Sequence, residues 1–356
     1  MIDQEYLFIF FTFIPIIITW FLIDIIRKLS IRLKVFSIPN ERSSHDNIVP
    51  ITGGVALCIS WVLIISLFNI FNFTNINPSQ IDTYIYALSG VIICIVGFYD
   101  DINQMPPIMK LILQLFVFFI ITFVQDGLIN SFHGVLGIYE LSYVQSFLFS
   151  GFVFIVVLNA INLVDGIDGL SASLALFFLI NATYLFYNAN NPYYLMSVGF
   201  SSSLIVFIFY NFSKKRKIFL GDTGSLGLGI LVSVIILGML NTNQDYSTYA
   251  PINPALYAVL LISYPLLDVI RVFILRVYNR KSPFNADRNH IHHKIIDVGF
   301  THIQAVMLIL LIQTLLLLLN VYAINSIELH NQILVNVTIV SLILFFLYKS
   351  TSKLVS

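Results

Sequence analysis

The sequence predicts an all-α integral membrane protein with about eleven transmembrane helices, its N-terminus outside and its C-terminus cytoplasmic. Three observations carry that expectation. Of 356 residues, 58% are hydrophobic and 10% are charged. Mean hydropathy is +0.91. The apolar residues also fall in stretches that can cross a bilayer core as helix, which takes about 20 residues each.

The stretches are 6–26, 53–71, 81–99, 107–125, 144–161, 169–187, 193–212, 223–241, 254–275, 302–323 and 332–348. An odd number of crossings puts the termini on opposite sides, and the distribution of Lys and Arg orients the chain. All 18 basic residues, from Arg27 to Lys353, fall on one face under this division. A missed or extra helix would scramble that segregation. Inner loops are therefore expected near 27–52, 100–107, 162–168, 213–222 and 276–301, within one polytopic domain spanning 1–356. Asp3 and Glu5 stand where a signal peptide would be basic, so the first helix is expected to be retained. Cys58 and Cys94 lie in predicted spans and indicate no disulfide framework.

Carboxylates at a bilayer edge are tolerated when paired, wetted or used, and four clusters on the inner face stand out. GFYDD (97–101) ends helix 3 with Asp100 and Asp101, followed by Pro106, Pro107 and Lys110. Adjacent carboxylates repel unless a cation or proton lies between them. Gln104 breaks the Asp-Asp-x-x-Asp pattern of isoprenoid synthases. In NAINLVDGIDG (159–169), Asn159, Asn162, Asp165 and Asp168 recur every third residue. Such a series drifts about 60° per step on a helix, so the groups converge only if Gly166 or Gly169 breaks it. Capping would need one of these residues, not four.

FLGDTGSLGLG (219–229) is a Gly-rich turn into helix 8 after the basic run KKRK (214–217). Asp222 there reads as an N-cap or as part of a site for a metal-bound phosphate. No P-loop motif is present, which argues against an ATPase. SPFNADRNHIHHKIIDVGF (282–300) gathers Arg288, His290, His292, His293 and Lys294 as partners for phosphate and hydroxyl groups. Zinc is the competing idea for the histidines. No Cys accompanies them, however, and the carboxylates elsewhere favour a hard, oxygen-liganded cation such as Mg2+. IPNERSSHDNIVPITGG (38–54) adds Arg42, His45 and the pair Gly53 and Gly54. Asp268 and Arg271, at i and i+3, read as a structural pair. Carboxylates for a divalent cation, together with Lys, Arg and His for anionic oxygens, make up the inventory of phosphoryl or phosphoglycosyl transfer.

The same segments, in this order and on one face, resemble the polyprenyl-phosphate N-acetylhexosamine-1-phosphate transferase family, glycosyltransferase family 4. The form ADRNHIHHK is similar to the branch that uses UDP-N-acetylglucosamine rather than the peptidoglycan branch, while PNERSSH is similar to members using modified N-acetylhexosamines. The resemblance implies transfer of N-acetylhexosamine-1-phosphate from a UDP-sugar to undecaprenyl phosphate at the cytoplasmic face of a bacterial inner membrane. UMP leaves, and a cell-surface polysaccharide is begun. It further implies Asn162 and Asp222 as contacts of Mg2+, or of Mn2+, with Asp165 near enough to share in the chemistry. Asp100 is implied as the base for the lipid phosphate, with Asp101 beside it. Lys110, Asp168, Arg288, His290, His292, His293 and His45 are implied in substrate binding. Expected partners are the UDP-N-acetylhexosamine, undecaprenyl phosphate and the bilayer, with a homodimer as a candidate assembly and no nucleic acid.

The rival class is a transporter or flippase, which would place charges at mid-span and show repeats of opposite topology. Spans 2, 6, 7, 10 and 11 carry no mid-span charge, and no such repeat is visible. Within the enzyme class, the phospho-N-acetylmuramoyl-pentapeptide transferase of peptidoglycan synthesis is the alternative.

Overall fold

A computed structural model describes residues 4–37, 48–71, 78–124, 127–241, 250–280 and 288–355, with side chains throughout except at 78–80 and 344–355. Helices α1 (Gln4–Leu33), α2 (Gly53–Phe71), α3 (Pro78–Asn103) and α4 (Pro107–Ile121) open the chain. Then come α5 (Tyr143–Leu163), α6 (Leu170–Asn188), α7 (Tyr193–Asn211) and α8 (Gly221–Met239). The last part holds α9 (Pro254–Leu261), α10 (Ser263–Tyr278), the short α11 (Ile291–Asp297), α12 (His302–Leu319) and α13 (Leu329–Val355). A two-residue ribbon, β1 (Phe36–Ser37) against β2 (Val49–Pro50), joins α1 to α2.

All eleven predicted stretches are helical. Eight described helices are long and apolar enough to cross a membrane, or nine if α9 and α10 form one broken span. The stretch 107–125 falls on a shorter apolar helix, Pro107–Ile121, and 332–348 lies within α13. Large apolar side chains such as Phe13, Phe21, Ile112, Phe116 and Phe119 face outward, as a lipid environment permits. Polar groups turn inward and pair between helices: Thr19 with Ser60 at 2.7 Å, the Trp61 indole N–H to Ser203 at 2.9 Å, and Asn320 with Asn336 at 2.7 Å.

The expected inner loops are shorter than the sequence suggests, because helices run into them. The α1 helix continues through Leu33, and Asp100 and Asp101 occupy the last turn of α3. Asn162 sits in the last turn of α5, Asp222 in the first turn of α8, and α11 forms inside 276–301. The predicted span 254–275 is also not one helix, since α9 and α10 bend by 71°. Pro265 has no N–H to give the Leu261 carbonyl one turn earlier; Gln313 of α12 donates its side-chain N–H to that carbonyl instead.

The most enclosed crossing is α8, and glycines let its neighbours approach backbone to backbone. A Cβ on Gly54 would sit 2.1 Å from the Gly224 nitrogen, one on Gly97 would sit 2.5 Å from the Asp222 carbonyl oxygen, and one on Gly229 would sit 2.6 Å from the Leu158 carbonyl oxygen. The segment ahead of α8 is stitched to the start of α2: Phe219 N–H donates to the Pro50 carbonyl at 2.8 Å, and Gly53 and Gly54 N–H donate to the Phe219 and Leu220 carbonyls at 2.9 Å each. Replacing Gly97 by Val should therefore force α3 off the first turn of α8 and cost about 3 kcal/mol, the upper end of overpacking penalties. Thermal unfolding in detergent would show a lowered midpoint, whereas Gly90→Val, with open space at its Cβ, should leave the midpoint unchanged.

Candidate active site

At the end of the bundle where α3 and α5 finish and α8 begins, the carboxylates converge on one lysine. Lys110, four residues into α4, places its Nζ against Asp100 Oδ2 and 3.0 Å from Asp222 Oδ2. Pro106 and Pro107 set this geometry: they start α4 directly after the turn closed by the Met105 N–H on Asp100 Oδ1. Asn162 Nδ2 donates to Asp222 Oδ1 at 3.1 Å and to the Ser225 hydroxyl at 2.7 Å. Asp101 does not point at Lys110. Its two oxygens accept from the Asp222 and Thr223 N–H groups at 2.7 and 3.0 Å and from the Thr223 hydroxyl at 2.7 Å. It thus closes the N-terminus of α8 from a different helix. Gly221, at φ +70°, makes the sharp entry, and a Cβ there would lie 2.6 Å from Asp101 Oδ2.

The NAINLVDGIDG series separates in space. Asn159 is not in the cluster: its amide pairs with Gln114 of α4 at 2.8 Å, a link between helices. Asp165 donates its N–H to the Asn162 carbonyl at 3.2 Å. Desolvation in the cleft, followed by the charges of Asp222, Asp101 and Asp168, raises its carboxyl well above the usual carboxylate range. Gly169, at φ +73°, breaks the chain into α6 and turns Asp168 away from the others. Its Oδ2 meets Lys217 Nζ at 2.6 Å and His302 Nδ1 at 2.7 Å. Burial works against that carboxylate, but His302 and Lys217 outweigh it and hold it below its ordinary value. Lys217 also lies 5.1 Å over the Phe219 ring.

The histidine segment forms the facing wall. Asp268, fully buried in α10, accepts from Arg271 at 2.8 Å and lies 2.8 Å from His290 Nδ1. His292 and His293 pack on the 162–168 turn at the one position that has no side chain. A Cβ on Gly166 would be 2.4 Å from His292 Nε2 and 2.8 Å from His293 Nε2. Burial, and then the neighbouring charge of His293, holds His292 well below the imidazole range, while burial and the charge of Arg288 bring His293 to about 4. Both are neutral hydrogen-bonding groups at pH 7. Arg288 is turned to Asp297 at 3.0 Å, and His45 lies outside the described residues.

Two donor sets could be asked to hold a metal. Asp268, His290 and His292 each bring one ligand atom, all within 4.8 Å of one another, but Arg271 already supplies the positive charge at that carboxylate. Around Lys110, in contrast, Asp100 and Asp222 share a single ammonium, and Asp165 lies within reach of the charges of Asp222 and Asp101. The donors are oxygens, and the upward shift of Asp165 is the strain that a divalent cation relieves. That set fits a hard cation, with Asn162 and Asp222 as the residues that would hold it.

The fold brings in several residues that no motif singles out. Thr223 and Ser225 belong to the FLGDTGS segment, and Lys217 ends the basic run, but nothing local links it to Asp168. His302 had only its position at the start of an apolar span as a signal.

A polytopic membrane protein with an acidic basin and a histidine wall at one end of its bundle is the class that fold and site define. Residues 83–240 match the family model described as "Glycosyl transferase family 4". A Bacillus subtilis (strain 168) protein named "Probable undecaprenyl-phosphate N-acetylglucosaminyl 1-phosphate transferase" is 29% identical over 88% of this chain and 84% of its own length. The "Undecaprenyl-phosphate alpha-N-acetylglucosaminyl 1-phosphate transferase" proteins of Yersinia pestis and Escherichia coli (strain K12) are similar at 29% and 27% identity, over 83% and 90% of this chain and 78% and 84% of theirs. Over residues 83–240 the chain is similar to glycosyl transferase family 4.

Two outcomes follow from this wall. Gly166→Ala should displace both imidazoles and reduce activity at least tenfold while leaving the thermal midpoint within about 2 °C. As pH falls from about 6.5 toward about 4, unfolded chains take up protons that His292 and His293 refuse when folded, so the contribution of these two imidazoles to stability should fall in that window, opposed by Asp165, whose raised carboxyl takes up a proton in the folded state. In thermal unfolding against pH, His293→Gln should flatten part of that slope.

Proposed function

We propose that this protein transfers N-acetylglucosamine-1-phosphate from UDP-N-acetylglucosamine to undecaprenyl phosphate, releasing UMP, to begin a cell-surface polysaccharide. The printed names of its relatives support that substrate pair. The observation that carries the reading is the Lys110 ammonium lodged between Asp100 and Asp222, with Asn162 on the same Asp222 carboxylate. Such a basin handles anionic oxygens and a cation together. In the reaction, a phosphate oxygen of the lipid attacks the sugar-bearing phosphorus of the UDP-sugar, one pyrophosphate link breaks as another forms, and no ATP is needed.

The chain's own groups divide the work. Asp100 orients the lipid phosphate, whose second pKa of about 6 leaves little proton to remove near neutral pH. Lys110 exchanges its carboxylate partners for phosphate oxygens. Asp101 keeps the first turn of α8, and hence Asp222, in place. Asp165 and Asp168 line the turn that receives the nucleotide, and His290, His292 and His293 face the diphosphate and sugar. Mg2+, held by Asn162 and Asp222, would offset repulsion between the anionic nucleophile and the anionic diphosphate. Eleven crossings and a cytoplasmic site in an inner membrane belong to the same proposal. They are supported by helix at every predicted span and by the one-sided Lys and Arg distribution.

Membranes containing the protein, supplied with undecaprenyl phosphate, Mg2+ and a panel of UDP-sugars, should release UMP with UDP-N-acetylglucosamine and not with UDP-N-acetylmuramoyl-pentapeptide. Chelation should abolish release, and Asp222→Ala or Asn162→Ala should lower it by about two orders of magnitude. If no UDP-N-acetylhexosamine yields UMP, the proposal fails. If both variants retain full activity and Mg2+ dependence, the cation is held elsewhere.

A further inference from the structure

Beyond the 71° bend, α10 presents Tyr264 and Asp268 one turn apart, both buried, to the histidine segment. Asp268 Oδ1 accepts from Arg271 and from the Ile291 N–H at 3.2 Å, and Arg271 reaches on to the Asn289 carbonyl at 2.6 Å. The backbone on either side of His290 is therefore pinned. Asp268 Oδ2 faces His290 Nδ1 at 2.8 Å, and the Tyr264 hydroxyl lies 3.2 Å from His292 Nδ1. On its opposite edge His292 is different: Nε2 is buried, has no hydrogen-bond partner among the described residues, and points at the notch left by Gly166.

A neutral imidazole carries one N–H, and the group at one nitrogen decides which one bears it. A hydroxyl that donates to Nδ1 leaves the proton on Nε2. Burial beside His293 keeps His292 neutral, so that single proton matters. A buried donor without a partner is destabilising, and an anionic oxygen entering beside the 162–168 turn would satisfy it. We propose that Tyr264 and Asp268 are positioning residues for the transfer: they occupy the Nδ1 edges of His292 and His290, and so leave the His292 Nε2–H to donate to the diphosphate of the UDP-sugar. This inference rests on the proposed reaction and adds to it a tautomer and the residues that set it. It also changes the role of Asp268, which holds the substrate-facing edge of the wall in register.

The test compares which nitrogen a substitute can imitate. Gln places an amide N–H near the position of Nε2, and Asn near that of Nδ1. His292→Gln is expected to retain most activity and His292→Asn to lose it by about 100-fold. Tyr264→Phe should raise KM for UDP-N-acetylglucosamine about tenfold, the size of one hydrogen bond, with KM for undecaprenyl phosphate and the thermal midpoint unchanged. In a His292→Gln background the same change should have no further effect. Asp268→Asn should act in the same direction as Tyr264→Phe. Calorimetric binding of UDP to the detergent-solubilised protein reads the donor without turnover, and Tyr264→Phe should weaken it by the same factor.

Equal rises in both KM values, or better activity from His292→Asn than from His292→Gln, would overturn the positioning role. A wild-type protein that binds UDP in the predicted order of variants but releases no UMP would overturn the reaction and leave the tautomer assignment standing.

Discussion

The site depends on how closely other backbones can come to the first turn of α8. Gly54 against Gly224 and Gly97 against Asp222 remove the side chains that would hold α2 and α3 away. Asp101 then reaches the free N–H groups of that turn. A helix start in a low-dielectric bundle has donors that must be satisfied. Here the satisfaction comes from the end of α3, so the two helices cannot slide without unmaking it. Everything chemical is referenced to this joint: Asp100 is the next residue along α3, Asp222 sits one residue into α8, and Lys110 and Asn162 come to them from α4 and α5.

The two walls differ in charge logic. Around Lys110, carboxylates crowd together, and burial followed by the charges of its neighbours lifts Asp165. Across the 162–168 turn His292 and His293 are neutral because they are buried, and their orientation, not their charge, is what the protein controls. One turn of chain separates these environments, with Gly166 as the contact and Asp168 as the tie to Lys217 and His302. A nucleotide sugar carrying a cation presents both kinds of demand, charge at its phosphates and directed hydrogen bonds around them.

Much of this was readable one segment at a time. Apolar runs located the helices, and DD, NLVDGIDG, FLGDTGS and HIHH named the chemistry. Proximity through space was not readable. Asp168 and His302 are 134 residues apart, and Lys217 looked like one member of a solvated basic run. Asp101 seemed a twin of Asp100, yet it serves a helix terminus. Asn159 fitted the three-residue series but turned to Gln114, because a series that drifts around a helix leaves its first member on another face. Pro265 was the one local sign that 254–275 would break, and an apolar window cannot register it. Asp268 and Arg271, at i and i+3, pair at 2.8 Å, but the sequence does not show that α10 brings this pair to His290.

Lys110 has one more consequence. An ammonium already seated between Asp100 and Asp222 makes the resting basin a filled position, so any ion that enters must compete with a tethered charge of +1. Sodium or potassium would gain nothing in that exchange, since one unit of charge replaces another and a desolvated lysine is left over. A divalent ion gains on charge alone, and more if it arrives with phosphates that give the displaced ammonium a new partner. Under the proposed reaction the lysine would therefore act as a valence filter, sorting ions by charge before ligand geometry has any say.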